Sequence, residues 1–238
     1  MQLWADGLIQ YDLYPGDEIL IVEADLSVYD ELRLSFHQRS SQLTHLNAAR
    51  YAELLYDASK LTNLHISFCD EPSTRDEYGD IDETLLGYLS YGTAYPRLQH
   101  LTIEGITCDR DILIRLLTSH AATLRKLKLS NIQLRRGPNR LSGLCCLVVF
   151  LKDVRRVLVN LETFILHDSL SSYPHMWTLE RRPPGPEHAF KDTILARVEH
   201  WMVDRSLDAD DSPVEHLGMF TGNEIEGVDW SLRWGLRE

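Results

Sequence analysis

The sequence predicts an α/β solenoid: an irregular leucine-rich-repeat fold with parallel strands on its concave face and helices on its convex face. Three observations support this prediction. A short motif, apolar-x-x-apolar-x-apolar, recurs along the chain, and helical periodicity lies between its copies. The motif strands also interleave polar with apolar residues, unlike the continuous Val and Ile runs of a doubly wound sheet. Because one strand and one helix cannot bury their apolar faces alone, such units are expected to stack.

The motif has five copies, of which the first is the weakest. They begin at Tyr29, Leu61, Leu98, Leu124 and Leu161. Successive copies are therefore 32, 37, 26 and 37 residues apart, mostly longer than the usual leucine-rich period of about 20–29 residues. The repeat is irregular, and we assign it to residues 28–170.

Helical patterns precede the later copies of the motif. Asp80, with Glu83 three residues later, resembles a capping box, and Asp109 with Asp111 suits the positive end of a helix. We predict helices at 47–59, from Asp80, from Asp109 to about His120, and at 142–157. Apolar residues at helical spacing predict their inward faces: Tyr51, Ala52, Leu55 and Ala58; Leu85, Leu86 and Leu89; Ile112, Leu113, Leu116 and Leu117; Leu144, Leu147, Val148, Leu151 and Val154.

The two ends of the chain depart from the repeat. Residues 1–27 form an N-terminal segment to which no structure is assigned. Residues 171–238 are predicted to cap the open end of the solenoid, after a break at 181–186 in the run Arg-Arg-Pro-Pro-Gly-Pro. In this segment a helix is expected at 187–204 and a degenerate strand at 214–219. The helix would turn Phe190, Ile194, Val198, Trp201 and Met202 inward.

Charge and cysteine usage narrow the class of protein. A formal net charge of −12 disfavours nucleic acids and anionic membranes as partners, because binding them requires a basic surface. Cys145 and Cys146 are adjacent, and no CxxC pair occurs among the four cysteines. The N-terminus has no basic region followed by an apolar stretch. We expect an intracellular protein, cytoplasmic or nuclear, with reduced thiols.

Polar residues between the apolar motif positions are expected to face outward, since a strand alternates its faces. In parallel strands they align in three rows: Asn63, His100, Lys126 and Thr163; His65, Thr102, Lys128 and Ile165; Ser67, Glu104, Ser130 and His167. The predicted partner-binding residues are Asn63, His65, His100, Thr102, Glu104, Lys126, Lys128, Ser130, Thr163 and His167. An acidic or hydrogen-bonding protein segment suits them; the alternative is a solvated surface without a ligand. Charge reversal at Lys128 should weaken partner binding without unfolding the protein.

The sequence offers no recognised catalytic or cofactor motif. HExxH, GxSxG, GxGxxG and Walker-type loops are all missing from it. We therefore predict a non-enzymatic chain with no catalytic, cofactor or metal site. Two lesser alternatives stay open: a zinc site formed by His65, His100 and His167, and an α/β enzyme with an unrecognised site.

The repeat resembles a known family. Residues 95–103, Tyr-Pro-Arg-Leu-Gln-His-Leu-Thr-Ile, and 124–134, Leu-Arg-Lys-Leu-Lys-Leu-Ser-Asn-Ile-Gln-Leu, look like the repeat region of fungal F-box proteins. The resemblance covers roughly residues 45–170. It implies the substrate-recognition part of an F-box-type ubiquitin ligase, with a Skp-type adaptor as a partner if an F-box is encoded upstream. No F-box is recognisable here, so a stand-alone scaffold or receptor-like repeat protein is the alternative.

Overall fold

A computed structural model describes residues 2–3, 8–13, 26–36, 55, 58–68, 81–92, 95–135, 146–172, 175–179, 194–207 and 213. The described strands are β1 (Gln2–Leu3), β2 (Leu8–Leu13), β3 (Glu31–Phe36), β4 (Asn63–Phe68), β5 (His100–Glu104), β6 (Thr107–Asp109), β7 (Lys126–Arg135), β8 (Thr163–Ser172) and β9 (His175–Leu179). The described helices are α1 (Ile81–Gly92), α2 (Arg110–Ser119), α3 (Cys146–Val157) and α4 (Ile194–Val203), with a short 3-10 helix at Leu26–Val28.

The described strands join in one nine-stranded sheet. Their order is β1-β2-β3-β4-β5-β7-β8-β9, with β6 also beside β7. All pairs from β2 to β8 are parallel, whereas the outer pairs β1–β2 and β8–β9 are antiparallel. Parallel neighbours need a crossover connection, and α1, α2 and α3 lie in three of these connections. The predicted α/β class with a parallel sheet is confirmed.

One face of the sheet shares a single hydrophobic core with the helices. Along β3, for example, Leu32, Leu34 and Phe36 are buried and the residues between them are not. Helix α1 packs on α2, α2 on α3 and α3 on α4, so the helices follow the order of the strands. Each large apolar side chain that is fully buried contributes about 1.5–3 kcal/mol. The buried apolar residues of these four helices are Leu85, Leu86, Leu89, Leu113, Leu116, Leu117, Phe150, Leu151, Val154, Val198, Trp201 and Met202.

The same pair of backbone hydrogen bonds links each motif copy to the next. The carbonyl oxygen of Asp30 accepts hydrogen bonds from the N–H groups of Thr62 and Asn63, at 2.8 and 3.0 Å. The three following motif copies repeat this pattern: Thr62 accepts from Gln99 and His100, Gln99 from Arg125 and Lys126, and Arg125 from Glu162 and Thr163, all at 2.7–3.0 Å. Each accepting residue directly follows the first residue of a motif copy. The motif therefore marks equivalent positions, including the weak copy at Tyr29.

The predicted helices agree with the structure to different extents. Helix α1 buries the three predicted leucines, and α2 lies between Asp109 and His120 as expected. Helix α3 is described from Cys146, and the residues between 142 and 145 lie outside the described part of the chain. Helix α4 is described over Ile194–Val203, and residues 187–193 of the predicted helix at 187–204 lie outside the described part of the chain. Most of the predicted helix at 47–59, Phe190 and the strand at 214–219 also lie outside the described residues.

Some of the described strands were not predicted. The N-terminal segment contains β1 and β2, and β6 and β9 had no sequence prediction. Strands β7 and β8 have ten residues each, more than the other described strands. They are longer because their pairing resumes beyond an irregularity between Ser130 and Ile132.

A buried arginine joins α3 to the end of α4. Arg155 is 6% exposed. It donates hydrogen bonds to the carbonyl oxygens of Trp201, Asp204 and Leu207, at 2.7, 3.1 and 2.9 Å. Its guanidinium carbon also lies 4.3 Å from the centroid of the Trp201 ring. A cation at the carbonyl end of a helix offsets the negative end of the helix dipole, so Arg155 stabilises α4 in place.

Contacts in the opposite direction complete this junction. Arg205, which follows α4, donates to the carbonyl oxygen of Arg155 at 2.7 Å and to that of Leu158. Glu199 of α4 accepts a hydrogen bond from the backbone N–H of Leu166 in β8, at 2.8 Å. Helix α4 is thereby fixed against both α3 and the last parallel strand.

Cys108 of β6 is buried as a thiol and takes no part in a disulfide. Among the described helices, none is both long enough and apolar enough to cross a membrane.

Candidate protein-binding surface

Alternate side chains of β4, β5, β7 and β8 point away from the core and form what we call the polar face. The strand register aligns them in three rows. The first row is Asn63, His100, Lys126 and Thr163; the second is His65, Thr102, Lys128 and Ile165; the third is Ser67, Glu104, Ser130 and His167. The sequence predicts these same rows, and the alignment is confirmed. Their role in binding a partner stays a prediction.

Accessibility decreases from the first row to the third. His100, Lys126 and Thr163 in the first row are exposed, and the second-row residues are half-buried. In the third row Ser67 and Ser130 are buried, at 8% and 2% exposure. A partner approaching this face would meet the first row before the other two.

Strand β3 extends the three rows by one strand. Glu31, Arg33 and Ser35 align with Asn63, His65 and Ser67. Arg33 and Glu31 form an ion pair at 2.8 Å, so this strand adds no net charge to the face. Sequence reasoning missed these three residues as part of the face. The signal was present, because they follow Tyr29 at the same distances in sequence at which Asn63, His65 and Ser67 follow Leu61.

The charged centre of the polar face is Glu104 of β5. One of its carboxylate oxygens, Oε1, accepts a hydrogen bond from Lys128 Nζ on β7, at 2.5 Å. The other, Oε2, lies 3.3 Å from His65 Nε2 on β4. Glu104 thus links three neighbouring strands, and Lys128 and His65 both have an acidic partner within the chain.

Strand register explains this diagonal contact. Glu104 aligns with Ser67 and Ser130, whose small side chains leave space on both sides, while His65 and Lys128 both align with Thr102. Long side chains can reach such diagonal neighbours across strands. The carboxylate of Glu104 therefore bends back toward the second row, where it accepts a hydrogen bond from Lys128 and lies beside the Nε2 atom of His65.

The surroundings of Glu104 lower the pKa of its carboxyl group. The contact with His65 and then that with Lys128 lower this pKa from 4.5 to about 2, against the opposing effect of burial. Glu104 is consequently a carboxylate at neutral pH. Its side chain is 27% exposed, and that of Lys128 is 32% exposed.

Lys126 differs from Lys128 in its surroundings. Its side chain is exposed in the first row between His100 and Thr163, its register partners. None of the described carboxylates forms an ion pair with it. The sequence prediction placed both lysines on this face and singled out Lys128 for charge reversal. In the structure Lys128 is paired with Glu104, whereas Lys126 is exposed and can take a partner's carboxylate directly.

Two residues with left-handed backbone conformation set the end of β5 against β7. Gly105 has a φ of 70° and Asn131 a φ of 53°. The N–H of Gly105 donates to the carbonyl oxygen of Ser130 at 2.9 Å. The local change of direction ends β5 directly after Glu104, which fixes the position of this carboxylate relative to β7.

The three histidines of the polar face do not meet. His65 lies on β4, His100 on β5 and His167 on β8, so β5 and β7 separate the first from the last. Neighbouring strands are about 4.8 Å apart, which places His65 and His167 too far apart to share an ion. In the described part of the chain, no group of three potential ligand residues is suitably placed for a metal.

Comparisons of the chain with protein-family models, with curated proteins and with solved structures found no match. Function is therefore inferred from the residues of the polar face and from the repeated backbone pattern.

Proposed function

We propose that this chain is an irregular leucine-rich-repeat solenoid that binds an acidic, extended segment of another protein across its polar face. The recurring pair of backbone hydrogen bonds at the starts of β4, β5, β7 and β8 supports the repeat assignment, because equivalent carbonyl groups of successive motif copies make equivalent bonds at each step. The matching order of strands and helices also supports it. Solenoids commonly bind partners on such extended strand surfaces.

The observation that carries the partner's chemistry is the charge of the polar face. Its twelve outward positions hold two lysines and three histidines but one carboxylate, Glu104. With histidines neutral this gives a formal charge of +1, on a chain whose net charge is −12. The polar face is thus less acidic than the chain as a whole. Such charge complementarity gives specificity to a protein partner.

A protein segment suits this face better than a nucleic acid does. Nucleic-acid binding depends on neutralising several phosphates with Lys and Arg. Here Lys128 is already paired with Glu104, which leaves Lys126 as the accessible cation of the twelve positions. The hydroxyl, amide and imidazole groups around Lys126 supply hydrogen bonds that a peptide can use.

The resemblance to fungal F-box proteins adds a more specific hypothesis. On this hypothesis the chain is the substrate-recognition part of an F-box-type ubiquitin ligase. The bound segment then belongs to a substrate for ubiquitin ligation, and a Skp-type adaptor joins the complex. A stand-alone scaffold or receptor-like protein would use the same polar face without the adaptor. The two hypotheses differ in the proteins recovered with the chain, not in the face that binds the segment.

The test compares Lys126→Glu with Arg156→Glu in affinity capture from cell lysate, followed by cross-linking mass spectrometry. Both substitutions change the net charge equally, but Arg156 lies on α3 with its side chain 79% exposed. We expect a captured protein that is lost with Lys126→Glu, is kept with Arg156→Glu, and is cross-linked to the polar face through an acidic segment. Equal capture by the two variants would overturn the proposed face.

Recovery of a Skp-type adaptor and a cullin with the wild-type chain would support the ligase hypothesis. Their absence from a complex that still depends on Lys126 would contradict it and favour the scaffold.

A further inference from the structure

The contacts that the Glu104 carboxylate makes resemble those of a bound carboxylate ligand. Its carboxylate lies between Lys128 Nζ at 2.5 Å and His65 Nε2 at 3.3 Å, which belong to the strands on either side of β5. Charge-assisted contacts of this kind are those by which a protein holds a carboxylate from a partner. The polar face therefore already contains one carboxylate-binding subsite, occupied by a side chain of the same protein.

The subsite is continuous with the accessible part of the face. Lys128 is two residues along β7 from Lys126, so both ammonium groups lie on the same side of that strand. The side chains of Lys128 and His65 are each 32% exposed, although the Nε2 atom of His65 that faces Glu104 is itself buried. An acidic segment held at Lys126 would bring its next carboxylates toward the position of Glu104.

From this geometry we infer that Glu104 is an intramolecular competitor: it occupies the carboxylate subsite between His65 and Lys128 and so weakens the binding of an acidic segment. The inference rests on the proposed function, since it concerns the same face. It reverses the usual expectation for an ion pair at a binding surface, because loss of the acidic member should strengthen binding.

A double-mutant cycle tests this competition. The four proteins are the wild type, Glu104→Gln, Lys128→Met and the double variant, all as the full chain. The probe is a fluorescein-labelled poly-glutamate peptide, measured by fluorescence anisotropy at low salt and again at higher salt. A Gly-Ser peptide of equal length controls for binding that does not depend on carboxylates, and urea unfolding checks that each variant is folded.

We expect Glu104→Gln to tighten peptide binding about fivefold, the value of one exposed ion pair. Lys128→Met should weaken binding by less than about twofold in the wild type, where Glu104 neutralises the lysine, but by about fivefold in the Glu104→Gln background. Asp111→Asn is the control for net charge, because Asp111 lies in the first turn of α2 with a side chain that is 69% exposed. It should leave the affinity nearly unchanged.

Two results would overturn the inference. In the first, Lys128→Met has the same effect with and without Glu104, so that Lys128 is not masked. In the second, Glu104→Gln and Asp111→Asn tighten binding equally, so that the gain comes from net charge alone.

Lys126→Glu separates this failure from failure of the proposed function. If that variant binds the peptide about tenfold more weakly than the wild type while the cycle shows no coupling, the face binds acidic segments and only the competition is refuted. If Lys126→Glu binds as the wild type does, the proposed function fails as well.

Discussion

Gly105 offers a sharp test of how the charged centre is positioned. Its φ of 70° lies in the left-handed region. A Cβ atom placed there would come 2.1 Å from the carbonyl oxygen of Phe68, an atom of the backbone of β4. Gly105→Ala must therefore either force β4 and β5 apart or move Gly105 out of its conformation.

Both effects add to the cost of this substitution. The left-handed conformation costs an L-residue about 1–2 kcal/mol. Relief of the overlap with a strand backbone costs about 1–3 kcal/mol more, by analogy with overpacked cores. We expect Gly105→Ala to lower the free energy of unfolding by about 3 kcal/mol, since the two effects act together.

Gly87 provides the matched control for this prediction. It lies within α1, and a Cβ placed there has no other atom within 4 Å. Gly87→Ala should raise stability by about 0.5–1 kcal/mol, because alanine favours the helix and restricts the unfolded chain. Urea titration of the three proteins gives both values. Opposite signs are expected; a Gly105→Ala variant within about 1 kcal/mol of the wild type would refute the close approach of β4 and β5.

Three further predictions concern buried or paired charges. Arg155→Leu leaves helix-end carbonyls without their donor and should cost about 3 kcal/mol in urea unfolding, whereas Arg156→Leu on the same helix should cost less than about 0.5 kcal/mol; similar costs would contradict the role of Arg155. Burial lowers the pKa of His120 below 6.5, so the unfolded chain binds that proton first and wild-type stability should fall as the pH drops below 6.5. The His120→Leu variant should be less stable, but its stability should fall less steeply as the pH drops below 6.5. Equal slopes for the variant and the wild type would contradict this role of His120. The pKa of Glu104, about 2 rather than 4.5, contributes stability that is complete above pH 4.5 and is lost toward pH 2. At about 1.36 kcal/mol per unit this is at most about 3.4 kcal/mol, and about 1–2 kcal/mol after solvent screening. Glu104→Gln should flatten the dependence of stability on pH between pH 4.5 and pH 2. The control is Glu162→Gln, because the side chain of Glu162 is 70% exposed. Identical curves for the two variants would exclude a contribution from Glu104.

The neutral form of His120 is fixed by its hydrogen bonds. Its Nδ1 donates to the carbonyl oxygen of Leu116, at 2.8 Å, and its Nε2 accepts from the backbone N–H of Tyr95, at 3.0 Å. A proton on Nε2 would face another donor, so protonation opposes the turn that leads into the third motif copy.

The sequence by itself determined the core positions and the strand register. Leu64, Leu101, Leu127 and Phe164 each occupy the second apolar position of a motif copy, and all are buried and aligned. This follows because side chains alternate along a strand with a period of two, and a shift by one residue would expose every apolar side chain. Outward-facing residues could thus be identified from the motif without a structure.

Only the tertiary structure decided how the charges pair. Glu104 and Lys128 are 24 residues apart and meet diagonally, not at the same row; Arg155 reaches the carbonyl of Trp201 46 residues away. Such contacts depend on side-chain reach, on small neighbours such as Ser130, and on the left-handed turn at Gly105. Strand periodicity specifies the face on which a side chain lies, whereas its partner is set by the surrounding strands and helices once they are packed.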